Sequence, residues 1–261
     1  MITSTSNPRI KQLVAWQSKA KERKKDGVFL AEGIKMLSEA PASMIKEVYL
    51  TQDALSKIED SGILEKTGYE IVSEEVMKKA SDTQTPQGAI VVLKRPVYTL
   101  EEILKKENGL YLILEDLQDP GNLGTIVRTA EGTGVDGIIL SKDTVDIYNP
   151  KTIRSTMGSI YRMPFLYVEN LSETIRLMHE KGIVTYAAHL KGTCFHYDFS
   201  YLGATAFLIG NEGNGLKKET ADLAKSYLKI PMEGKLESLN AAIATSVLLY
   251  EAYRQRHIFK H

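Results

Sequence analysis

Cysteine and histidine, two common metal ligands, are scarce in this sequence. Cys194 is the only cysteine among 261 residues, which excludes an intrachain disulfide and a cluster of thiolate ligands. The five histidines are not spaced as metal ligands, and the H-E-x-x-H pattern of zinc enzymes does not occur. We therefore expect a protein that works without a bound metal.

Long apolar runs are also missing. No stretch approaches the roughly 20 apolar residues that a helix needs to cross a bilayer. Residues 1–8 lack the basic and then apolar pattern of a signal peptide. The sequence thus favours a soluble protein of the cytoplasm.

The chain as a whole has no excess of charge of either sign, but its first 25 residues are rich in positive charge. Lysine plus arginine and aspartate plus glutamate both number 33, so the net charge indicates no partner. Residues 1–25 nevertheless contain one acidic side chain, Glu22, and a basic cluster: Arg9, Lys11, Lys19, Lys21, Arg23, Lys24 and Lys25. Such a cluster can contact a phosphate backbone or can be a solvated helix face, and charge alone leaves both open.

The first third of the chain predicts a small α/β domain. Asn7-Pro8 is typical of a helix start, and this helix should run to about Lys25 and end at Gly27. Trp16 lies one residue off its apolar stripe and is expected in the core, not as an exposed stacking surface. Short strands and helices then alternate, which is typical of an α/β layer structure.

The alternating pattern breaks at Lys94-Arg95-Pro96, where the composition changes. Thr99 to Glu102 then matches a capping box ahead of a short helix. We predict an N-terminal domain over residues 1–95, a linker over 96–106 and a second α/β domain over 107–261.

The second domain has more strongly apolar strands. Runs such as Leu110–Leu114 are typical of strands buried on both faces of a parallel sheet. The last helix should begin at about Ser238, with Ser238 as its N-terminal cap. In parallel α/β sheets ligands bind where loops follow the carboxyl ends of the strands.

Three loops rich in glycine and asparagine each follow an apolar strand, over residues 122–128, 209–216 and 230–240. The glycines of the middle loop indicate a tight turn, a positive φ or close approach of a ligand. None of the loops is a P-loop, a G-x-G-x-x-G dinucleotide site or a G-x-S-x-G nucleophile elbow. Taken singly, each polar side chain has a simple structural explanation; taken together, four would form one polar pocket: Arg128, Glu212, Ser238 and Asn240.

Together the three loops resemble the ordered motifs of the SpoU, or TrmH-type, RNA methyltransferases of the SPOUT superfamily. The matching residues are Asn122-x-Gly124-x-x-x-Arg128-Thr129-Ala130, then Ile209-Gly210-Asn211-Glu212-Gly213-x-Gly215-Leu216, then Ile230-Pro231-Met232 with Ser238-Leu239-Asn240. The resemblance spans about residues 108–255. The N-terminal part, with Thr85-Pro86-Gln87-Gly88 near its end, is similar to that family's RNA-binding domain, a small α/β module like certain ribosomal proteins.

The resemblance implies methyl transfer from S-adenosylmethionine to a ribose 2′-hydroxyl of rRNA or tRNA, without a metal. It also implies a parallel sheet with a deep C-terminal trefoil knot, and an obligate homodimer. The positions that match cofactor-binding residues are Leu190, Gly210, Ile230 and Leu239. The positions that match the catalytic centre are Asn122, Arg128, Glu212, Ser238 and Asn240.

Within that implied site, the roles of two charged residues differ. An arginine is almost always protonated, so Arg128 is expected to grip an RNA phosphate and orient the hydroxyl, not to act as a simple base. Glu212 is expected either to orient Arg128 or to accept the proton.

The expectation about which RNA is methylated rests on analogy alone. The N-terminal domain, which is similar to ribosomal proteins, favours large-subunit rRNA, 23S, over tRNA. The alternative is a non-catalytic RNA-binding factor of ribosome assembly with the same fold, which need not bind S-adenosylmethionine.

Overall fold

The computed structural model describes residues 1–58 and 62–257, and these form two compact units. The first unit contains Met1–Val97 and a later segment, Asp146–Tyr161. The second contains Tyr98–Val145 and the residues from Arg162 onward. Throughout the described ranges, every helix is too short or too polar to span a bilayer.

The strands, in chain order, are β1 (Val28–Glu32), β2 (Ile45–Leu50), β3 (Glu70–Ile71), β4 (Ala89–Lys94), β5 (Leu110–Leu114), β6 (Gly137–Ser141), β7 (Phe165–Val168), β8 (Val184–Ala188), β9 (Cys194–Phe195), β10 (Thr205–Ile209) and β11 (Ser226–Lys229). The helices are α1 (Pro8–Ser18), α2 (Ala20–Asp26), α3 (Ile34–Ser38), α4 (Gln52–Lys57), α5 (Ile63–Thr67), α6 (Glu74–Ala80), α7 (Leu100–Ile103), α8 (Pro120–Gly132), α9 (Pro150–Thr156), α10 (Leu171–Glu180), α11 (Lys218–Ala221) and α12 (Ala241–His257).

A four-stranded sheet in the order β1-β4-β2-β3 forms the centre of the first unit. Strand β4 runs antiparallel to β1 and β2, and β3 runs parallel to β2. Ile10 and Leu13 of α1 and Met77 of α6 share one core cluster with Leu30 and Val92 of the sheet. The apolar sides of these two helices therefore cover this sheet.

The N-terminal helix starts as predicted but is divided in two. The Asn7 side chain accepts a hydrogen bond from a first-turn amide at 2.9 Å, and Pro8 occupies the first turn. The prediction of one helix to Lys25 is wrong, because Lys19 has an extended backbone, with φ −124° and ψ 110°, between α1 and α2. Gly27 ends α2 in the left-handed conformation, with φ 63°, as the glycine there predicted.

Two residues of the basic N-terminal region face inward. Trp16 is 5% exposed and donates from Nε1 to Asp26 at 2.7 Å, so the prediction of a core tryptophan is confirmed. Arg23 is 3% exposed and donates to two backbone carbonyls at the end of α1. The other basic side chains of the region are exposed: Arg9, Lys11, Lys19, Lys21, Lys24 and Lys25.

The segment Asp146–Tyr161 belongs to the first unit, although it falls within the domain predicted over residues 107–261. Its Tyr148 ring lies against Phe29, with ring centroids 4.8 Å apart. The guanidinium of Arg23 pairs with the carboxylate of the segment's first residue at 2.7 Å. These partners lie far away in the sequence, where no local pattern reports them.

The second unit is built on a seven-stranded sheet in the order β7-β6-β5-β10-β8-β11-β9. All neighbouring strands are parallel, which confirms the predicted α/β class with a parallel sheet. Strands β5, β6 and β10 are buried along their whole length, as apolar runs such as Leu110–Leu114 predicted. Strand β9 has only two residues and no apolar pattern, so it was not predicted.

Of residues 96–106, predicted as a linker, those from Tyr98 onward belong to the second unit. The predicted capping box is present: Thr99 Oγ1 accepts from the Glu102 amide at 3.2 Å, and a Glu102 carboxylate oxygen accepts from the Thr99 amide at 2.8 Å. Ile103 and Leu104 are buried in the core of this unit. The short helix α7 therefore packs into the core of the second unit and is not a free linker.

The last helix begins at Ala241 and is capped by Asn240, not by Ser238. The Asn240 side-chain oxygen accepts from the amides of the second and third helical residues, at 2.9 and 3.3 Å. Ser238 lies in the irregular segment before the helix, so the prediction of a serine cap is wrong. Serine and asparagine are both good caps, and their residue types alone did not separate the two positions.

Candidate active site

The loops after β5 and β10 are neighbours because their strands pair in register, with Leu114 opposite Ile209. The Glu115 amide continues this pairing by donating to the Ile209 carbonyl at 2.9 Å. Strand β8 lies on the other side of β10, and β11 follows it. The loops after these four strands therefore open at one edge of the sheet, where parallel α/β folds bind ligands.

The loop over residues 209–216 folds back on itself. Asn211 and Gly215 exchange two backbone hydrogen bonds, at 3.1 and 2.9 Å. A Cβ atom on Gly210 would lie 2.1 Å from the carbonyl carbon of Gly215, so no side chain fits there. Gly215 has a φ of 68°, which glycine adopts easily. Tight turning and positive φ thus account for these two glycines.

Glu212, in this loop, accepts hydrogen bonds from the N-terminal end of α8. Its Oε1 accepts from Asn122 Nδ2 and from the Asp119 amide, both at 3.0 Å, and its Oε2 accepts from the Gln118 amide at 3.1 Å. The free amides of a helix N-terminus favour an anion. Glu212 therefore clamps the glycine-rich loop to the start of α8.

The electrostatics of Glu212 agree with this clamp. Burial alone would raise the pKa of its carboxyl group, but the hydrogen bonds from Asn122 and the backbone amides outweigh burial and lower the pKa below its ordinary value. The group is thus ionised at neutral pH and is a weak proton acceptor.

Asn122 and Asn240 extend the network to α12. Asn240 Nδ2 donates to Asn122 Oδ1 at 3.0 Å, while Asn122 Nδ2 donates to Glu212. Residues 122–128, predicted as a loop, lie within α8, so this continuous chain of hydrogen bonds joins the glycine-rich loop to the first turn of α8 and to the cap of α12. It brings together three of the five residues predicted for the catalytic centre.

A cavity of about 280 Å³ lies beside this network, between the loops after β8, β10 and β11. Several apolar residues line it, among them Leu216, Leu228 and Met232. Its lining includes all four residues predicted to bind a cofactor: Leu190, Gly210, Ile230 and Leu239.

A second, polar pocket adjoins the cavity. Its lining consists of Gln118, Asp119, Asn122 and Asn240, together with four residues that also line the cavity: Glu212, Ser238, Leu239 and Ala241. The structure thus places Ser238 where both pockets meet. One pocket is suited to an apolar or nucleoside-like ligand, and the other to a hydroxyl-bearing one.

Arg128 stands apart from the other predicted residues. Six positions after Asn122, an α-helix has turned about 240° beyond one full turn, so the two side chains leave α8 in different directions. Arg128 is exposed and lines neither pocket. Within residues 1–58 and 62–257 it has no hydrogen bond or ion pair. Glu212 therefore does not orient Arg128 within one chain.

Two residues of the site were not predicted. Gln118 and Asp119 hold Glu212 through their backbone amides, which no side-chain pattern reports. Asp119 also caps α8 by accepting from the Asn122 amide at 2.7 Å, and the Asp-Pro pair is a helix-start signal that could have identified it.

As for metals, the described ranges contain no group of three or more side chains able to hold an ion.

Comparisons with known proteins match both units. The SpoU rRNA methylase family model matches residues 109–250, and the model of an MRM3-like substrate binding domain matches residues 7–91. An uncharacterized tRNA/rRNA methyltransferase of Synechocystis is 35% identical over 98% of this chain and 94% of its own. RlmP of Bacillus subtilis, named a 23S rRNA (guanosine(2553)-2′-O)-methyltransferase, is 32% identical over 95% of this chain and 97% of its own. The crystal structure of an AdoMet-bound rRNA methyltransferase from Sinorhizobium meliloti has a TM-score of 0.86, at 32% identity and 97% coverage of both chains.

The chain belongs to the SpoU rRNA methylase family. The family predicted from the three loops is therefore confirmed.

Proposed function

We propose that this protein transfers a methyl group from S-adenosylmethionine to a ribose 2′-hydroxyl of ribosomal RNA, with 23S rRNA as the substrate class. The observation that carries the proposal is the hydrogen-bonded set of Asn122, Glu212 and Asn240 between a nucleoside-sized cavity and a polar pocket. The name of the Bacillus relative supports the reaction and the RNA, and the Sinorhizobium structure supports the cofactor.

The cavity fits S-adenosylmethionine. Gly210, Ile230 and Leu239 line it and would hold the cofactor, and the apolar side chains of Leu190 and Met232 line it as well. When bound, the cofactor would supply an electrophilic methyl group: the ribose oxygen would gain the methyl, the sulfur would keep the electron pair of the broken carbon–sulfur bond, and the hydroxyl proton would pass to solvent. The apolar lining of the cavity would limit the access of water to the bound cofactor.

The polar residues orient the ribose. Asn122, Ser238 and Asn240 line the polar pocket and offer the hydrogen-bonding groups that a sugar requires. Glu212 holds the glycine-rich loop against the start of α8, because its carboxylate already accepts three hydrogen bonds from that segment. Arg128 lies outside both pockets and grips an RNA phosphate there, since a guanidinium stays protonated and matches phosphate geometry.

Substitution of Arg128 tests the proposal. Wild-type protein should methylate a 23S rRNA transcript with labelled S-adenosylmethionine. Arg128→Ala should bind the cofactor normally in isothermal titration but lose methyl transfer. Arg176→Ala, which changes an exposed arginine of α10, is the matched control and should keep full activity. Retained turnover in Arg128→Ala contradicts the role of this residue, and a wild-type protein that does not bind S-adenosylmethionine contradicts the function.

The first unit supplies an RNA-binding surface in this proposal. Its match to a substrate-binding domain and the exposed lysines Lys21, Lys24 and Lys25 support that role. Arg23 is excluded because it is buried. Replacing the three lysines by alanine should reduce the salt dependence of RNA binding, by a slope of roughly 0.7–0.9 per lost phosphate contact. An unchanged slope would identify these lysines as a solvated helix face.

We also propose the homodimer and the trefoil knot that the family resemblance implies, and a cytoplasmic site of action, where ribosomal RNA is found. Exposed apolar residues on α12 support the dimer: Ile243, Tyr250 and Tyr253 are 52%, 57% and 39% exposed. Tyr250→Lys should shift the sedimentation coefficient from dimer to monomer. A wild-type protein that sediments as a monomer contradicts the dimer.

A further inference from the structure

Asp116, directly after β5, has a φ of 54°, in the left-handed region that residues other than glycine seldom adopt. Its side chain holds it there. Asp116 Oδ1 accepts from Ser141 Oγ at 2.7 Å, and Oδ2 pairs with Lys217 Nζ at 2.7 Å. Burial alone would raise the pKa of the Asp116 carboxyl group, but the hydrogen bonds from Lys217 and Ser141 lower it, so the carboxylate is ionised at neutral pH.

The left-handed conformation matters because it directs the Asp116 carbonyl oxygen. That oxygen accepts from Asn211 Nδ2 at 2.8 Å and from Gln118 Nε2 at 3.1 Å. Asn211 immediately precedes Glu212, and Gln118 is the residue whose backbone amide donates to Glu212. One carbonyl oxygen therefore holds both chain segments that meet at the Glu212 clamp.

Asn211 passes this restraint to the glycine-rich loop. Its side-chain oxygen accepts from the amides of Gly213 and Asn214, at 2.9 and 3.1 Å. The two ends of one amide group thus connect the Asp116 carbonyl to the residues on the far side of Glu212. A shift of the Asp116 carbonyl would move Glu212 together with the loop.

We propose that Asp116 is a positioning residue that sets the location of Glu212 through Asn211 and Gln118, and that Lys217 supports it in this role. Neither Asp116 nor Lys217 lines either pocket, so their contribution is indirect. The inference rests on the proposed function only where it concerns catalysis. The order that Asp116 imposes on the loop is a property of the chain itself.

Asp116→Gly separates positioning from stability. Glycine adopts a positive φ without strain, which offsets part of the stability lost with the two side-chain contacts. A merely structural role therefore predicts little change in the site. A positioning role predicts a loosened loop, because the glycine backbone no longer fixes the direction of its carbonyl.

The test measures hydrogen exchange of the backbone amides over residues 209–216 in the full chain. Exchange in Asp116→Gly should be roughly tenfold faster, the effect of losing about one charge-assisted hydrogen bond. Lys217→Met should show a smaller increase in the same direction. Lys218→Met breaks the neighbouring exposed pair with Asp222 and is the matched control, with no expected change. Asp116→Asn should largely restore slow exchange, since asparagine tolerates a positive φ and keeps an acceptor for Ser141.

Steady-state kinetics with a 23S rRNA transcript complete the test. In Asp116→Gly, kcat should fall roughly tenfold while KM for RNA stays unchanged, because the RNA-binding surfaces are intact and only the reacting geometry is loosened. Exchange and kcat at wild-type values in Asp116→Gly overturn the positioning role and leave the proposed function intact. If exchange is faster in Asp116→Gly but the wild-type protein binds no S-adenosylmethionine, the positioning of the loop is supported and the proposed function is contradicted.

Discussion

Removal of the Asp146 carboxylate should destabilise the first unit far more than the loss of an exposed ion pair. The Arg23 side chain is 4% exposed and that of Asp146 is 29% exposed, with 2.7 Å between Nη2 and Oδ2. Breaking a fully buried pair costs roughly 3–5 kcal/mol, because a buried charge is left uncompensated. Arg23 keeps two carbonyl acceptors and Asp146 is partly solvated, so Asp146→Ala should cost about 2–3 kcal/mol.

The chain contains a matched control and a built-in probe. Arg9 and Glu70 form a surface pair whose side chains are 57% and 44% exposed, so Glu70→Ala should cost under about 1 kcal/mol. Trp16 is the only tryptophan and lies in the same unit as both pairs. Its fluorescence during urea unfolding therefore reports the free energy of unfolding of this unit.

Two further variants refine the Asp146 prediction. Asp146→Asn keeps the oxygen that accepts from the Tyr148 amide at 3.0 Å and removes the charge. Its free energy of unfolding should therefore lie between that of wild type and that of Asp146→Ala. Arg23→Met combined with Asp146→Ala should cost less than the sum of the single changes, since no charge is left buried. The reasoning is refuted if Asp146→Ala and Glu70→Ala shift the urea midpoint equally.

Three further predictions concern the site. Gly210→Ala should lower the affinity for S-adenosylmethionine in isothermal titration by roughly tenfold or more, because the added Cβ would lie 2.1 Å from backbone atoms. Gly213→Ala is the control: its Cβ would lie 3.5 Å from the nearest atom, so the affinity should stay unchanged. Asn240→Ala should destabilise the chain by about 1 kcal/mol through loss of the α12 cap, whereas Asn240→Asp should keep that stability and lose methyl transfer, because the bridge to Asn122 requires a donor. The folded pKa of Glu212 is lowered, so its contribution to stability is complete above the ordinary glutamate pKa and is lost as pH falls through the lowered value. The stability difference between wild type and Glu212→Gln should thus be constant near neutral pH and shrink below about pH 4, and a difference that grows on acidification contradicts this sign.

Local chemistry made much of the fold predictable. Strand β5 has the predicted bounds, Leu110–Leu114, because a wholly apolar run has one stable place in a parallel sheet. The capping residues Asn7 and Thr99 act as predicted, since their side chains accept hydrogen bonds from backbone amides only two or three residues away. The break at Lys19 has no such signal, because its neighbours are all compatible with a helix.

The site was predictable as a meeting of loops but not as a set of contacts. Loops after parallel strands share an edge whatever their sequence, which is why Glu212 lies beside Asn122 and Asn240. The absence of Arg128 from that cluster follows from its position six residues after Asn122 on α8, a spacing that turns the two side chains in different directions once the segment is known to be helical. Asp116 was overlooked because its importance lies in a backbone angle and a carbonyl oxygen.

The return of Asp146–Tyr161 to the first unit has a consequence for synthesis on the ribosome. A nascent chain that has released only residues 1–97 lacks the ring of Tyr148 that covers Phe29, and the carboxylate that pairs with Arg23. Strands β5 and β6 leave the exit tunnel before those partners do. The N-terminal unit therefore cannot be completed first, as domains made in order usually are, and parts of both units must mature side by side.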